Sequence, residues 1–283
     1  MAEFNNSLLE GLEKTVSIAL AEDIGPGDVT ADLIAADTQA EAQVIVREEA
    51  VICGRPWFDD VFYQVDKNIK IIWHIEEGSR QVADTKICTL KGSARHLLTA
   101  ERPALNFLQT LSGTATTTAR YAAELTGTKT QILDTRKTIP GLRRAQKYAV
   151  ACGGGKNHRI GLYDQILIKE NHIMSAGSIK AAVATARQKY PQLKIEVETE
   201  NLDEFQQALA AGADIIMLDN YHHDDMKKAV ALNRGKAKIE VSGNVTLDNL
   251  KSIASTGVDF ISSGALTKDL HSIDLSMRFK MDD

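Results

Sequence analysis

From residue 130 onward, short apolar runs alternate with helix-compatible stretches, a pattern that few folds can satisfy. The runs are TQILD, QILIK, KIEVE, DIIMLD, KIEVS and DFISS, and segments such as AGSIKAAVATARQK, LDEFQQALAAG and TLDNLKSIAST fall between or after them. Strands joined through helices run parallel, so the pattern implies a parallel sheet with helices outside. Six such strands are fewer than the eight of a closed (β/α)8 barrel. Periodicity leaves open both an incomplete barrel and an open doubly wound sheet.

The first third reads differently. Residues 7–22 place Leu8, Leu9, Leu12, Val16, Ile18, Ala19 and Leu20 near helical spacing, and the Gly- and Pro-rich EDIGPGDVTADL follows as a loop. Its acids Glu22, Asp23, Asp28 and Asp32 lack the order of a calcium loop, so capping and turn roles are expected. AQVIVREEAVICG, NIKIIWHIEEG and KICTLKGSA read as strands, with a short helix over WFDDVFYQ. Strands without long helices between them suggest a small antiparallel sheet in an α+β layer. A long helical region then runs from about Ala94 to Leu125, with a break expected near Gly113. Arg102 in this region reads as a solvated helix position.

The ends of the later strands point to a site. They finish in Asp134-Thr-Arg136, Lys169-Glu170, Glu198, Asp219-Asn220, Ser242-Gly243 and Ser263-Gly264. In parallel α/β folds, ligands bind where the carboxyl ends of strands converge. Alternation adds that Glu196 and Glu198 share one face of KIEVE, and Glu240 and Ser242 one face of KIEVS, on the side that should be interior. Buried carboxylates need cations or a metal. Glu198 and Asp219, outermost, are placed for Mg2+.

The cations are close at hand. Between Asp134 and His172 stand Arg136, Lys137, Arg143, Arg144, Lys147, Lys156, Arg159 and Lys169 against Asp134, Asp164 and Glu170, a local +5 within a chain of net charge -5. A basic island in an acidic chain suggests a specific anionic ligand and argues against nucleic acid. Gly153-Gly154-Gly155-Lys156 is not a nucleotide loop, since Val150, Asn157 and His158 stand where those motifs need other residues. It reads as a flexible turn delivering His158 and Arg159, with the adjacent Arg favouring a neutral, hydrogen-bonding His158. Arg136 and Arg159 suit planar carboxylates, and Lys137 and Lys169 suit phosphates as point charges. Arg143 and Lys147, four apart after Pro140, read as a solvated helix face. Ser242 and Ser263 lack a nucleophile elbow and Cys152 lacks a base, so covalent catalysis is not expected. The two Ser-Gly pairs instead fit phosphate binding by backbone N–H groups. Together these residues indicate an enzyme handling a phosphorylated, Mg2+-bound substrate and a small carboxylate.

Cys53, Cys88 and Cys152 are widely spaced and show no ligand pattern, which reads as reduced thiols. The first residues, MAEFNNSLLEGLEK, have no signal-peptide character, and no run approaches the ~20 apolar residues of a membrane span. A cytoplasmic protein without membrane contact is expected.

Eight segments carry a family resemblance: EDIGPGDVT, ERPALNFLQTLSGTAT, DTRKTIPGLRRAQKYAV, GGGKNHRIGLYDQILIKENH, VETENL, IMLDN, EVSGN and ISSGALT. In order and over nearly the whole chain, the sequence resembles the quinolinate phosphoribosyltransferases. Ser263 departs from their pattern, where Val is commoner. The resemblance implies an N-terminal α/β sandwich over 1–112, joined by the C-terminal tail 271–283, and an incomplete (open) α/β barrel over 113–270 of the type II phosphoribosyltransferase kind. It implies a homodimer with shared active sites, acting on quinolinate and 5-phosphoribosyl 1-diphosphate with Mg2+ as cofactor. A related enzyme acting on nicotinate or another base is the nearest alternative, and a non-catalytic phosphate-binding barrel a more distant one. Carried over by residue, Arg136, His158 and Arg159 would hold the carboxylates, with Arg102 from the partner subunit. Lys137 and Lys169 would bind carboxylates or diphosphate, and Glu198 and Asp219 the ribose hydroxyls and Mg2+. Ser242, Gly243, Asn244, Ser263 and Gly264 would surround the 5-phosphate.

Overall fold

The computed structural model describes residues 6–280; the opening residues 1–5 of the segment read above as lacking signal character, and the tail end 281–283, lie outside them. In chain order, α1 (Leu12–Ile24) precedes β1 (Gln39–Val46), β2 (Ala50–Val51), α2 (Arg55–Val65), β3 (Lys70–Trp73), β4 (Arg80–Gln81), β5 (Lys86–Ser93) and the long α3 (Ala94–Glu124). Then come β6 (Gln131–Leu133), α4 (Arg143–Cys152), β7 (Ile166–Ile168), α5 (Glu170–Ala176), α6 (Ile179–Lys189), β8 (Ile195–Thr199), α7 (Leu202–Ala211), β9 (Ile215–Asp219) and α8 (His223–Asn233). The chain closes with β10 (Lys238–Ser242), α9 (Leu250–Ala254), β11 (Phe260–Ser262), α10 (Ala265–Lys268) and β12 (Leu275–Phe279).

Two compact units form. Among the described residues, the first takes 6–119, 138–154 and 266–280, and the second 120–137 and 155–265. The packing therefore groups 113–119, 138–154 and 266–270 with the first unit, where the resemblance implies that they belong to the barrel.

In the first unit, β12-β1-β5-β3 form an antiparallel sheet. The expected strands and the WFDDVFYQ helix are all present. β1 alternates so that Ala42, Val44 and Val46 are buried, and α2 packs Trp57, Phe58, Val61 and Phe62 inward. Asp28 accepts from the N–H groups of Thr30 and Ala31, both at 3.0 Å, and from the Thr99 hydroxyl at 2.7 Å, a turn-capping role. Backbone donors hold its carboxyl below the usual range.

Two expectations fail here for packing reasons. Helix α3 runs unbroken through Gly113, because that glycine serves a close approach: a Cβ there would lie 2.1 Å from the His271 carbonyl oxygen. Lys147 on α4 is fully buried, not solvated, and Arg143 is half-buried with its Nε donating to Thr138 at 3.3 Å. The buried face of α4 runs from Ala145 to Val150, so a spacing of four placed Lys147 on a face that the first unit covers.

The second unit holds six parallel strands in the order β6-β11-β10-β9-β8-β7. From β7 to β11 the spatial order follows the sequence without the reversal of a doubly wound sheet. The first strand then sits beside the last, as in a sheet curling into a barrel. No pairing joins β6 to β7 among the described residues, so the barrel stays incomplete. At that gap Lys156 bridges Leu133 in parallel fashion, its N–H donating to Ile132 and its carbonyl accepting from Asp134 N–H.

Gly113→Ala should destabilise the fold by about 1–3 kcal/mol or more through overpacking, despite the better helix propensity of alanine. A denaturant midpoint equal to or above the parent's would refute the close-approach reading.

Candidate active site

The carboxyl ends of the second unit's strands enclose a cavity of about 200 Å3. Its walls are Thr135, Arg136 and Lys137 after β6, His158 and Arg159 from the bridging segment, and Leu167 and Lys169 at β7. Glu198, Met217, Glu240, Ser242 and Ser262 complete it from β8 to β11. Volume alone would not select this place, since a groove of about 950 Å3 lies in the first unit beside Lys14, Asp59 and Lys67. Convergent charge at strand ends does select it.

Asp134 lies behind one wall and holds it. It is fully buried, and its Oδ1 accepts from His158 N–H at 2.9 Å while Oδ2 accepts from Asn157 Nδ2 at 2.6 Å. The carboxylate thus fixes the segment that carries His158 and Arg159 beside β6. The glycine run before it is not simply a flexible turn. Gly153 is buried, and a Cβ there would meet Ala115 O at 2.4 Å, so close packing demands the glycine.

Beneath the cavity lies an acidic floor. Strand register puts Glu198, Met217 and Glu240 in one layer, with Glu196 one layer below on the same face. Glu196 and Glu240 are both 0% exposed. His158 Nε2 stands 2.8 Å from Glu196 Oε2 and 3.6 Å from Glu240 Oε2. Gln165 Nε2 also donates to Glu196 Oε2, at 2.7 Å. Neither oxygen of Glu240, nor the second of Glu196, has a hydrogen-bond partner. Burial, then the neighbouring Glu196, pushes Glu240 up to about 8, so it is a neutral acid at neutral pH.

The rim is basic. Burial, and then the charge of Arg136, hold Arg159 below its usual value, which places the two guanidinium groups in one field. Arg159 Nη1 is anchored on Gln165 O at 3.2 Å. Lys169 Nζ pairs with Glu198 Oε2 at 2.5 Å. Lys137 is exposed and lies across Gly264, where a Cβ would come within 2.9 Å of its Cδ. Asp219 closes β9, half-buried, with Asn220 Nδ2 donating to it at 3.0 Å. Since Glu198 pairs in register with Met217, Asp219 two residues on shares its face.

The residues expected at the phosphate end divide. Ser242 lines the cavity, and Gly243 is indispensable at φ +92, where a Cβ would strike Asn220 Oδ1 at 2.1 Å. Asn244 Nδ2 donates to Asn220 Oδ1 at 3.2 Å. Ser263 is buried, with its N–H on Leu133 O at 3.0 Å and its hydroxyl accepting from Ala265 N–H at 3.3 Å. Arg102 is exposed on α3 in the first unit.

Three groups escaped the sequence reading. Glu196 and Glu240 were legible as interior acids by alternation, but their meeting with His158 was not. Asp134 was visible as a strand-end acid in the basic stretch but not as the group that holds the His158 segment, and Gln165 carried no signal. Among the described residues, His158, Glu196 and Glu240 form one group whose ligand-type atoms lie within 4.8 Å of one another. Glu198 and Asp219 do not join a third ligand in that way.

Family models for the quinolinate phosphoribosyl transferase N-terminal domain and C-terminal domain match residues 28–112 and 114–278. The chain is 46% identical over 263 residues to a probable nicotinate-nucleotide pyrophosphorylase [carboxylating] of Synechocystis, covering 92% of this chain and 89% of the relative. It is 42% identical to the protein of that name from Bacillus subtilis, covering 94% and 92%. The nicotinate-nucleotide pyrophosphorylase structure from Francisella tularensis superposes with a TM-score of 0.93 at 50% identity, covering 98% of this chain and 97% of that one.

Because Glu240 is more basic folded than the 4.5 of a free glutamate, the folded state holds the extra proton. Its stabilising contribution is present at low pH and is lost as pH rises from about 4.5 towards about 8. Glu240→Gln, which mimics the neutral acid, should flatten that decline. Parallel stability-versus-pH curves for parent and variant across this window would show that Glu240 is ionised in the fold.

Proposed function

The chain belongs to the quinolinate phosphoribosyl transferase family, and from this we infer that it acts as a carboxylating nicotinate-nucleotide pyrophosphorylase. It transfers the phosphoribosyl group of 5-phosphoribosyl 1-diphosphate to quinolinate and yields nicotinate mononucleotide, diphosphate and CO2 in NAD biosynthesis. The observation that best supports this reading is the two-signed cavity, with Arg136, Lys137, Arg159 and Lys169 facing Glu198, and Asp219 on the same face at the next strand end. A dicarboxylate and a diphosphate need the first set, and a ribose that gains positive charge needs the second.

Arg136 and Arg159, with His158, hold the two quinolinate carboxylates. Their forks match carboxylates bidentately, and the partly buried Arg159 binds an anion at little further desolvation cost. Lys137 and Lys169 draw off the diphosphate; anion binding frees Lys169 from Glu198, which can then turn to the ribose hydroxyls. Glu198 and Asp219 share a face at adjacent strand ends and would hold Mg2+, which needs only one or two protein carboxylates beside phosphate oxygens. The ion would supply charge neutralisation to the departing diphosphate. Ser242, Gly243, Asn244 and Gly264 take the 5-phosphate; Ser263, its hydroxyl engaged at Ala265, contributes less.

As the C1–O bond to diphosphate breaks, the pyridine nitrogen bonds to C1 and becomes a pyridinium. That cationic ring accepts the electrons of the C2–carboxylate bond, CO2 departs, and a proton takes its place. No further cofactor is needed.

No helix among the described residues is long and apolar enough to cross a membrane. The active assembly is a homodimer in which exposed Arg102 reaches the site of the partner subunit.

Incubation with each pyridine base and the ribosyl donor tests the reaction. CO2 release with quinolinate is expected. Turnover of nicotinate alone would favour a related transferase, and donor binding without turnover a non-catalytic barrel. Each charge-assisted contact contributes ~1.5–3 kcal/mol, so Arg136→Ala and Arg159→Ala should each raise the quinolinate KM by about tenfold or more. Unchanged quinolinate kinetics in both variants would remove them from the clamp. Inactive Arg102→Ala and Lys169→Ala variants should regain activity when mixed and allowed to exchange subunits; exchange without recovery would sink the shared site.

A further inference from the structure

The first unit holds a second cluster of ionisable side chains, which phosphoribosyl transfer does not use. Cys53 lies just ahead of α2, Cys152 ends α4, and Glu77 comes from the turn between β3 and β4. Both sulfurs and a Glu77 carboxylate oxygen lie within 4.8 Å of one another, although the cysteines are far apart in sequence. Glu77 is fixed in place: its Oε1 accepts from Gly54 N–H at 2.8 Å, its Oε2 from Arg55 N–H at 3.4 Å, and the Tyr148 hydroxyl also donates to it. Cys53 is fully buried and Cys152 is partly open to solvent. Cys88, buried on β5, is outside the cluster.

Each member has a different chemical capacity. Burial, then contact with Cys152 and Glu77, pushes the Cys53 thiol well up, so it does not react with oxidants unaided. Cys152, the more accessible sulfur, is the one an oxidant reaches. Burial also pushes the Glu77 carboxyl up, which makes it a better proton acceptor than a free carboxylate. A carboxylate does not stabilise thiolates as a standing charge. Set between two sulfurs, it can carry a proton from one to a leaving group on the other.

We propose that Cys53 and Cys152 form a reversible disulfide on exposure to peroxide, with Glu77 as the base that takes the Cys53 proton. Cys152 sulfur attacks a peroxide oxygen, the O–O bond breaks, and the released hydroxide takes up the thiol proton and leaves as water. The sulfur, now oxidised, is a sulfenic acid. Cys53 then gives its proton to Glu77 and attacks Cys152 Sγ. The S–O bond breaks, the S–S bond forms, and the hydroxide leaves as a second water with the proton from Glu77. Two thiols and one peroxide thus give one disulfide and two waters. Side-chain rotation brings the sulfurs to the ~2.05 Å of the bond.

The test treats the reduced full chain with limiting hydrogen peroxide and maps peptides without reduction. A linked Cys53–Cys152 peptide lacking two hydrogens is expected, with Cys88 still alkylatable and the link undone by dithiothreitol. In Cys53→Ser, and in Cys53→Ala as a second variant, a sulfenic-acid probe should label Cys152 several-fold more than in the parent, because nothing resolves it. Glu77→Gln should form the same link at least about tenfold more slowly. Cys152 advancing to sulfinic acid beside an unmodified Cys53 thiol, or both thiols surviving peroxide, would overturn the pair. An unchanged rate in a folded Glu77→Gln variant would overturn the base.

Discussion

The site depends first on a buried acidic side chain whose work is to hold other residues in place. Asp134, at the end of β6, holds the Asn157 side chain and the His158 amide, and so ties the incoming segment to the sheet where the barrel is left open. A buried carboxyl group in that position is stable only because donors surround it. His158 and Arg159 are aimed by that clasp. A barrel with a closed β6–β7 pairing would leave no room for the segment.

Charge balance is the second constraint. Arg136, Lys137, Arg159 and Lys169 crowd one cavity, and repulsion would spread them if nothing opposed it. Glu196 beneath, and Glu198 beside Lys169, offset them from within the barrel. They do so without covering the rim, so the cations remain available to anions. One acid of the floor is neutral, which keeps two carboxylates from being ionised side by side in a dry interior.

Much of this was legible in the residues. The βα repeat, the polar strand ends and the alternation in KIEVE and KIEVS located the unit, its functional end and its interior acids. Misreadings arose where one residue type serves two physical purposes. Gly113 and Gly153 read as a break and a flexible turn, yet each is small because another chain segment lies against it. Lys147 read as solvated because a helical spacing of four does not say which face is covered. The thiols of Cys53, Cys88 and Cys152 are free, as the sequence suggested, but no local spacing encodes the proximity of Cys53 and Cys152.

The sequence by itself determined the parallel strands, the set of charged residues and the strand ends that present them, because periodicity and side-chain chemistry are local properties. Only the tertiary structure decided that β6 pairs with β11, that the gap beside β6 admits the His158 segment, and that Glu196, Glu240 and His158 meet. Those outcomes depend on strand order and on contacts between residues distant in the chain, and a linear pattern carries neither.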